Sequence, residues 1–83
     1  MSNYFLYILR STVFNKSYTG ITNNLDRRIK EHNSKKHFYT KRHCPWIMIY
    51  NEKYDNLEET RKREKYLKSA SGRKFLKELF SKI

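Results

Sequence analysis

Tyr4-Phe5-Leu6-Tyr7-Ile8-Leu9 is aromatic or aliphatic at every position. An alternating strand with one wet face would show polar residues at every second place; a run apolar on both faces belongs to a strand covered on both sides. The stretch therefore predicts the central strand of a sheet, and the rest of the chain has to supply its neighbours and its two covers. Downstream, the polar segment Ser11 to Lys16 reads as a hairpin connection, and Ser17-Tyr18-Thr19-Gly20-Ile21 as a second short strand of high β propensity. A glycine inside a strand marks a place where backbone or ligand comes close.

Thr22, Asn23 and Asn24 are helix-capping types, and Leu25, Ile29 and His32 follow at spacings of four and three. This predicts a helix over 25–33, with Asp26 suited to its first turn. Ser34 to His43 is polar and basic without a sustained period, and Pro45 blocks helix propagation, so the segment reads as a loop. Trp46 to Tyr50 predicts a third strand, and Asn51 to Asn56 a turn into a helix marked by Leu57 and Leu67. An interruption is expected at Ser69 to Gly72, followed by a closing amphipathic helix with Phe75, Leu76, Leu79, Phe80 and Ile83 at helical spacing. The expected class is α+β, with order β-β-α-β-α-α: a three-stranded antiparallel sheet flanked by helices.

The 83 residues suffice for a single domain, expected over 1–83, and exclude two. With 37% hydrophobic and 16% aromatic residues the chain has too much core-forming material for a disordered tail. Nineteen Lys and Arg against eight Asp and Glu give a net charge of +11. So dense a charge calls for a polyanionic partner, nucleic acid first; the plainer reading is a solvated basic surface. No apolar run approaches the length of a membrane helix, and Met1-Ser2-Asn3 lacks a basic leader, so a cytoplasmic protein without membrane attachment is expected. The single Cys44 cannot form an internal disulfide, and the three His do not complete a zinc set.

Leu57, Thr60, Glu64 and Leu67 share one stripe of the predicted helix, which puts a carboxylate on the inward face. Carboxylates are seldom buried alone, so Glu64 either pairs with a cation or holds a metal ion at a cleft; the neighbouring Arg61, Lys62, Arg63, Lys65 and Lys68 favour the ion pair on periodicity alone. Arg28 and His32, four apart, project from one helix face just beyond Gly20. The planar guanidinium suits phosphate oxygens and His32 can donate to a phosphate or relay a proton; the plainer readings are a surface salt bridge for Arg28 and a helix C-terminal charge partner for His32. Tyr7 and Tyr18 lie on adjacent strands and can meet across the pair, though strand tyrosines commonly only pack. Two basic surfaces flank this region: residues 27–43 carry seven Lys and Arg against one Glu, and residues 61–83 carry nine against two. Lys35, Lys36, Lys41 and Arg42 in the first, with Phe38 and Tyr39 among them to stack on bases, and Lys68, Arg73 and Lys74 in the second, are the candidate nucleic-acid contacts; a merely basic loop is the alternative for the first.

At these residues the chain resembles the GIY-YIG nuclease superfamily. Phe5-Leu6-Tyr7 stands in place of the first triplet and Tyr18-Thr19-Gly20 in place of the second. The helix from Thr22 to Asn33 is similar to the family's, with its arginine eight positions after the glycine, here Arg28, and Arg63-Glu64-Lys65-Tyr66-Leu67-Lys68 is similar to the helix bearing the metal-binding glutamate. The likeness is greatest to small standalone bacterial members, which share a Ser-Gly-Arg-Lys-like stretch, here Ser71 to Lys74. It implies DNA phosphodiester hydrolysis with one divalent cation, Mg²⁺ or Mn²⁺, held by Glu64, and catalytic parts for Tyr7, Tyr18, Arg28, His32 and Glu64. A tyrosine phenolate favoured by nearby cations is the expected base, with Tyr7 and Tyr18 both open. Phe5 and Leu6 depart from the family's glycine and isoleucine, positions that mainly pack. The polar residue that members often carry beyond the glutamate helix has no evident match, with Ser69, Ser71 or Lys68 as substitutes. Two alternatives stay open: a non-catalytic nucleic-acid-binding module on the same scaffold, and an accessory role within a larger repair or recombination complex. Oligomeric state is not legible.

Overall fold

The computed structural model describes residues 3–34 and 40–82. Three strands, β1 (Tyr4–Ser11), β2 (Ser17–Thr22) and β3 (Trp46–Tyr54), form an antiparallel sheet in the order β2-β1-β3. Three α-helices follow the expected order, α1 (Leu25–Asn33), α2 (Leu57–Leu67) and α3 (Ala70–Ser81), with a short 3-10 turn at Thr40–Arg42. The chain is thus α+β, as its hydrophobic pattern requires. Among the described residues no helix is long and apolar enough to cross a membrane.

The central strand divides its side chains between two cores. Leu6 and Ile8 point to one face, where Leu67 of α2 and Phe75, Leu76, Leu79 and Phe80 of α3 cover them. Tyr7 and Leu9 point to the other, packed with Trp46, Tyr18 and, from α1, Leu25 and Ile29. All four of these β1 side chains are at most 2% exposed, which accounts for a strand with no polar alternation.

β3 runs to Tyr54 rather than ending near Tyr50, so the expected turn from Asn51 is in fact strand. A register shift opposite Ile8 and Leu9 explains it: Leu9 pairs with Met48 and Ile8 with Tyr50, so one residue is extra on β3. Upstream of this bulge Trp46 and Met48 face the α1 side; downstream Tyr50 and Tyr54 face the α2–α3 side. The polar letters there disguised a strand because Glu52 is engaged by Arg63, Tyr50 and Tyr54.

Side-chain caps place the helix starts. Asn24 accepts from the Arg27 N–H at 3.0 Å and Asn56 from the Glu59 N–H at 2.8 Å. The expected break at Ser69 to Gly72 is narrower than expected: Ser69 is the N-cap of α3, and Ser71 and Gly72 already lie in its first turn. The pattern stops there because Gly72 packs against α2, where a Cβ would lie 2.2 Å from the Tyr66 carbonyl oxygen and 2.3 Å from Leu67 Cα.

Candidate active site

α1 begins immediately after β2 and crosses the face that carries Tyr7, so its inward residues meet the two strand tyrosines. The Tyr7 hydroxyl lies 2.8 Å from His32 Nε2 and accepts from Arg28 Nε–H at 3.4 Å. The ring of Tyr18 is 6.1 Å from that of Tyr7 and 4.9 Å from that of His32. Gly20 pairs directly with Tyr7 across the strands, and a Cβ on it would lie 2.6 Å from the Tyr7 hydroxyl oxygen; the missing side chain is what lets that hydroxyl stand over the strand. Tyr7, Tyr18, Arg28 and His32, far apart in the chain, form one cluster.

Burial is the largest influence on Tyr7 and pushes its pKa up to about 12; the hydrogen bond from Arg28 and its charge pull the other way without offsetting it. Arg28 by itself therefore does not hold Tyr7 as a phenolate. Arg28 is itself shifted up, first by its hydrogen bond to Tyr7, and remains charged. Its Nη1 also reaches Glu31 Oε1 at 3.5 Å, so the surface-pair reading holds in part, but its other contact is with the buried cluster. His32 is fully buried rather than a surface partner of the helix end: its Nδ1 lies 2.8 Å from Thr40 Oγ1.

Glu64 lies on α2. α2 covers the Leu6–Ile8 face and packs against all three strands, and along its inner stripe Thr60 and Leu67 are fully buried, with Glu64 between them. The Glu64 carboxylate accepts from Lys68 Nζ at 3.2 Å, and none of its described hydrogen bonds or ion pairs reaches the tyrosine cluster. Its side chain keeps 26% exposure and its lysine partner 57%, a contact a cation can displace. No group of three His, Cys, Asp or Glu stands together among the described residues. One accessible carboxylate suits a hard divalent cation that takes its other ligands from water and phosphate, and does not suit an all-protein cage.

α1 and α2 approach each other at the end of β2, where Tyr4, Ile21, Thr22, Asn23, Arg27, Arg28 and Leu57 line an open cleft of about 300 Å³. Of the candidate nucleic-acid contacts, Lys41 and Arg42 lie beside the cluster in the 3-10 turn, and Lys68, Arg73 and Lys74 are exposed on the α2–α3 side. Lys35 and Lys36, with Phe38 and Tyr39, lie outside the described residues.

Two groups of contacts had no signal in the sequence. Thr40 and Asn33 hold His32 and Trp46 through contacts across the loop. On the opposite face Glu52 accepts from Arg63 at both oxygens, 3.0 and 3.1 Å, and from the hydroxyls of Tyr50 and Tyr54. Arg63 stood out only as a neighbour of Glu64, and nothing linked it to a strand residue eleven positions back.

Comparison with known proteins identifies the scaffold. Residues 3–77 match the model of the GIY-YIG catalytic domain. A UPF0213 protein of Staphylococcus haemolyticus is 35% identical over 78 residues, covering 93% of this chain and 94% of that protein. The UPF0213 protein of Syntrophus aciditrophicus is 39% identical over 74 residues, covering 86% and 83%. The solution NMR structure of a UPF0213 protein from Bacillus halodurans superposes with a TM-score of 0.55 at 32% identity, covering 93% of this chain and 84% of that one. The clustered tyrosines, arginine and histidine thus sit on the scaffold of a known nuclease family, and the chain belongs to the GIY-YIG catalytic domain family.

Proposed function

We propose that the protein is a divalent-metal-dependent DNA endonuclease that hydrolyses phosphodiester bonds. The observation that carries the reading is the Tyr7 hydroxyl held between His32 Nε2 at 2.8 Å and Arg28 Nε at 3.4 Å on an otherwise buried face. A hydroxyl with a base on one side and a cation on the other can hand on a proton while the charge it faces is offset.

In this reading Arg28 binds the scissile phosphate and offsets charge gathering on its oxygens. Water attacks phosphorus; as its proton passes to the Tyr7 oxygen, the Tyr7 proton passes to His32 Nε2, and the P–O bond to the leaving oxygen breaks. The relay answers the difficulty of a tyrosine whose pKa is about 12, because no free phenolate need accumulate beforehand. Tyr18, whose ring is tilted against that of His32, would flank the same phosphate. Glu64 would hold Mg²⁺ or Mn²⁺ after release of Lys68; the bound cation would stabilise charge on the phosphate and leaving oxygens. Lys41, Arg42, Lys68, Arg73 and Lys74 would grip backbone phosphates outside the scissile one, and the net charge of +11 fits a polyanionic substrate. A place in DNA repair or recombination, in the cytoplasm and with or without a larger complex, belongs to the same proposal.

The test is cleavage of a panel of labelled duplex, single-stranded and branched DNAs with Mg²⁺ or Mn²⁺, comparing the wild type with a folded Glu64→Ala variant. Metal-dependent cutting lost in the variant supports the reading. Tight binding without cutting under any metal would overturn it in favour of a non-catalytic module.

A further inference from the structure

We propose that Thr40 is a positioning residue that fixes the tautomer of His32, placing the ring proton on Nδ1 so that Nε2 is left open to accept from Tyr7. The catalytic consequence rests on the relay proposed above; the tautomer itself does not.

The geometry begins at Tyr7. Its oxygen accepts from Arg28 Nε–H, and the residue is 2% exposed, so its own proton needs a protein acceptor. Conjugation confines that proton near the ring plane, and His32 Nε2 at 2.8 Å is the described acceptor within reach. An Nε2 that accepts carries a lone pair, so the neutral ring bears its proton on Nδ1. There Thr40 Oγ1 stands 2.8 Å away, in a residue as fully buried as His32. A threonine hydroxyl can accept this proton and, being uncharged, does so without drawing the ring toward the imidazolium form. Among the described residues, the titratable groups about the imidazole are Tyr7 and Tyr18, with Arg28 and Glu31 reached through Tyr7.

Thr40 is itself fixed. Its carbonyl oxygen accepts from Trp46 Nε1–H at 2.8 Å. The backbone of Trp46 is clamped at both ends by one side chain, its N–H donating to Asn33 Oδ1 at 2.6 Å and its carbonyl accepting from Asn33 Nδ2 at 3.1 Å. Asn33 follows His32 in α1, so His32, Thr40, Trp46 and Asn33 close a ring of contacts through α1, the 3-10 turn and β3. A ring closed in this way holds the threonine oxygen opposite Nδ1 and resists rotation of the imidazole.

Valine at position 40 keeps the shape and removes the acceptor. A proton on Nδ1 would then lose its described acceptor, which favours moving it to Nε2, where the ring can no longer receive the Tyr7 proton. The experiment is ¹⁵N NMR of histidine-labelled protein, wild type against Thr40→Val and Thr40→Ser, with steady-state cleavage of the best DNA substrate in Mn²⁺. The wild type is expected to show His32 protonated at Nδ1, Thr40→Val to lose that signature with kcat down on the order of 10²-fold at little-changed KM, and Thr40→Ser to restore both. A wild-type ring protonated at Nε2, or a folded Thr40→Val with unchanged tautomer and kcat, overturns the proposal. If the tautomers behave as stated but the wild type cuts no DNA, the positioning by Thr40 stands and the nuclease reading falls.

Discussion

A methyl group at position 20 would meet the Tyr7 hydroxyl oxygen at 2.6 Å and Tyr18 Cε2 at 2.8 Å. Neither ring can retreat freely: Tyr7 is buried against Leu9 and Trp46, and both tyrosines pack near His32. Gly20→Ala is therefore expected to displace the tyrosine hydroxyl from Arg28 and His32. Turnover should fall by more than about tenfold, since small misplacements at a reacting group are costly, while overpacking lowers stability by about 1–3 kcal/mol. Cleavage kinetics beside a urea unfolding curve separate the two effects; unchanged kcat in a folded variant would remove Tyr7 from the chemistry. Arg28→Ala should likewise lose kcat more than DNA affinity, because many other cations contribute to non-specific binding; equal losses measured by single-turnover kinetics and titration would argue against its assigned part.

Between elements, two contacts tie α2 to its surroundings. Glu52 on β3 receives a two-pronged Arg63 and two tyrosine hydroxyls, and Arg63 lies 5.2 Å from the ring centres of both Tyr66 and Phe75. Burial works to raise the Glu52 pKa, but hydrogen bonds from Arg63, Tyr50 and Tyr54 and the charge of Arg63 together hold it below the ordinary 4.5. A carboxylate whose folded pKa is lowered adds stability that is present above its ordinary value and lost as pH falls through the folded one. Glu52→Gln is thus expected to cost about 2 kcal/mol near neutral pH, and its denaturation midpoint should vary less than the wild type's as pH falls below that value. Parallel curves for the two proteins would sink the idea. The second contact is Gly72, whose α-carbon faces α2 backbone rather than a movable side chain. Gly72→Ala must push the helices apart, so a loss at or above about 3 kcal/mol is expected in thermal melts.

For the molecule as a whole, the basic charge is the property that acts at a distance. Lys41 and Arg42 follow Thr40 in the 3-10 turn, next to the residue whose hydroxyl meets His32. Replacing both with Gln should weaken DNA binding evenly across sequences and reduce the slope of log affinity against log salt by about 2, since each neutralised phosphate accounts for roughly 0.9. A titration series from low to moderate salt measures this; an unchanged slope would mean that DNA follows another side of the protein.

At the same scale, the sequence alone determined the class and order of elements. A strand apolar on both faces can only be central, and capping residues, helical spacing and Pro45 then order its neighbours, all of them local properties readable from adjacent letters. It also offered Arg28, His32 and Glu64 as candidates by spacing, and Tyr7 and Tyr18 through the family resemblance. What only the tertiary structure decided depends on contacts between distant letters. Polar Asn51, Glu52 and Lys53 are strand because a bulge near Ile49 turns Glu52 toward Arg63. Tyr7 holds its proton because burial outweighs the nearby guanidinium, a balance that no spacing encodes. Thr40, one polar letter in a basic loop, faces His32 only because Asn33 and Trp46 close the chain around it.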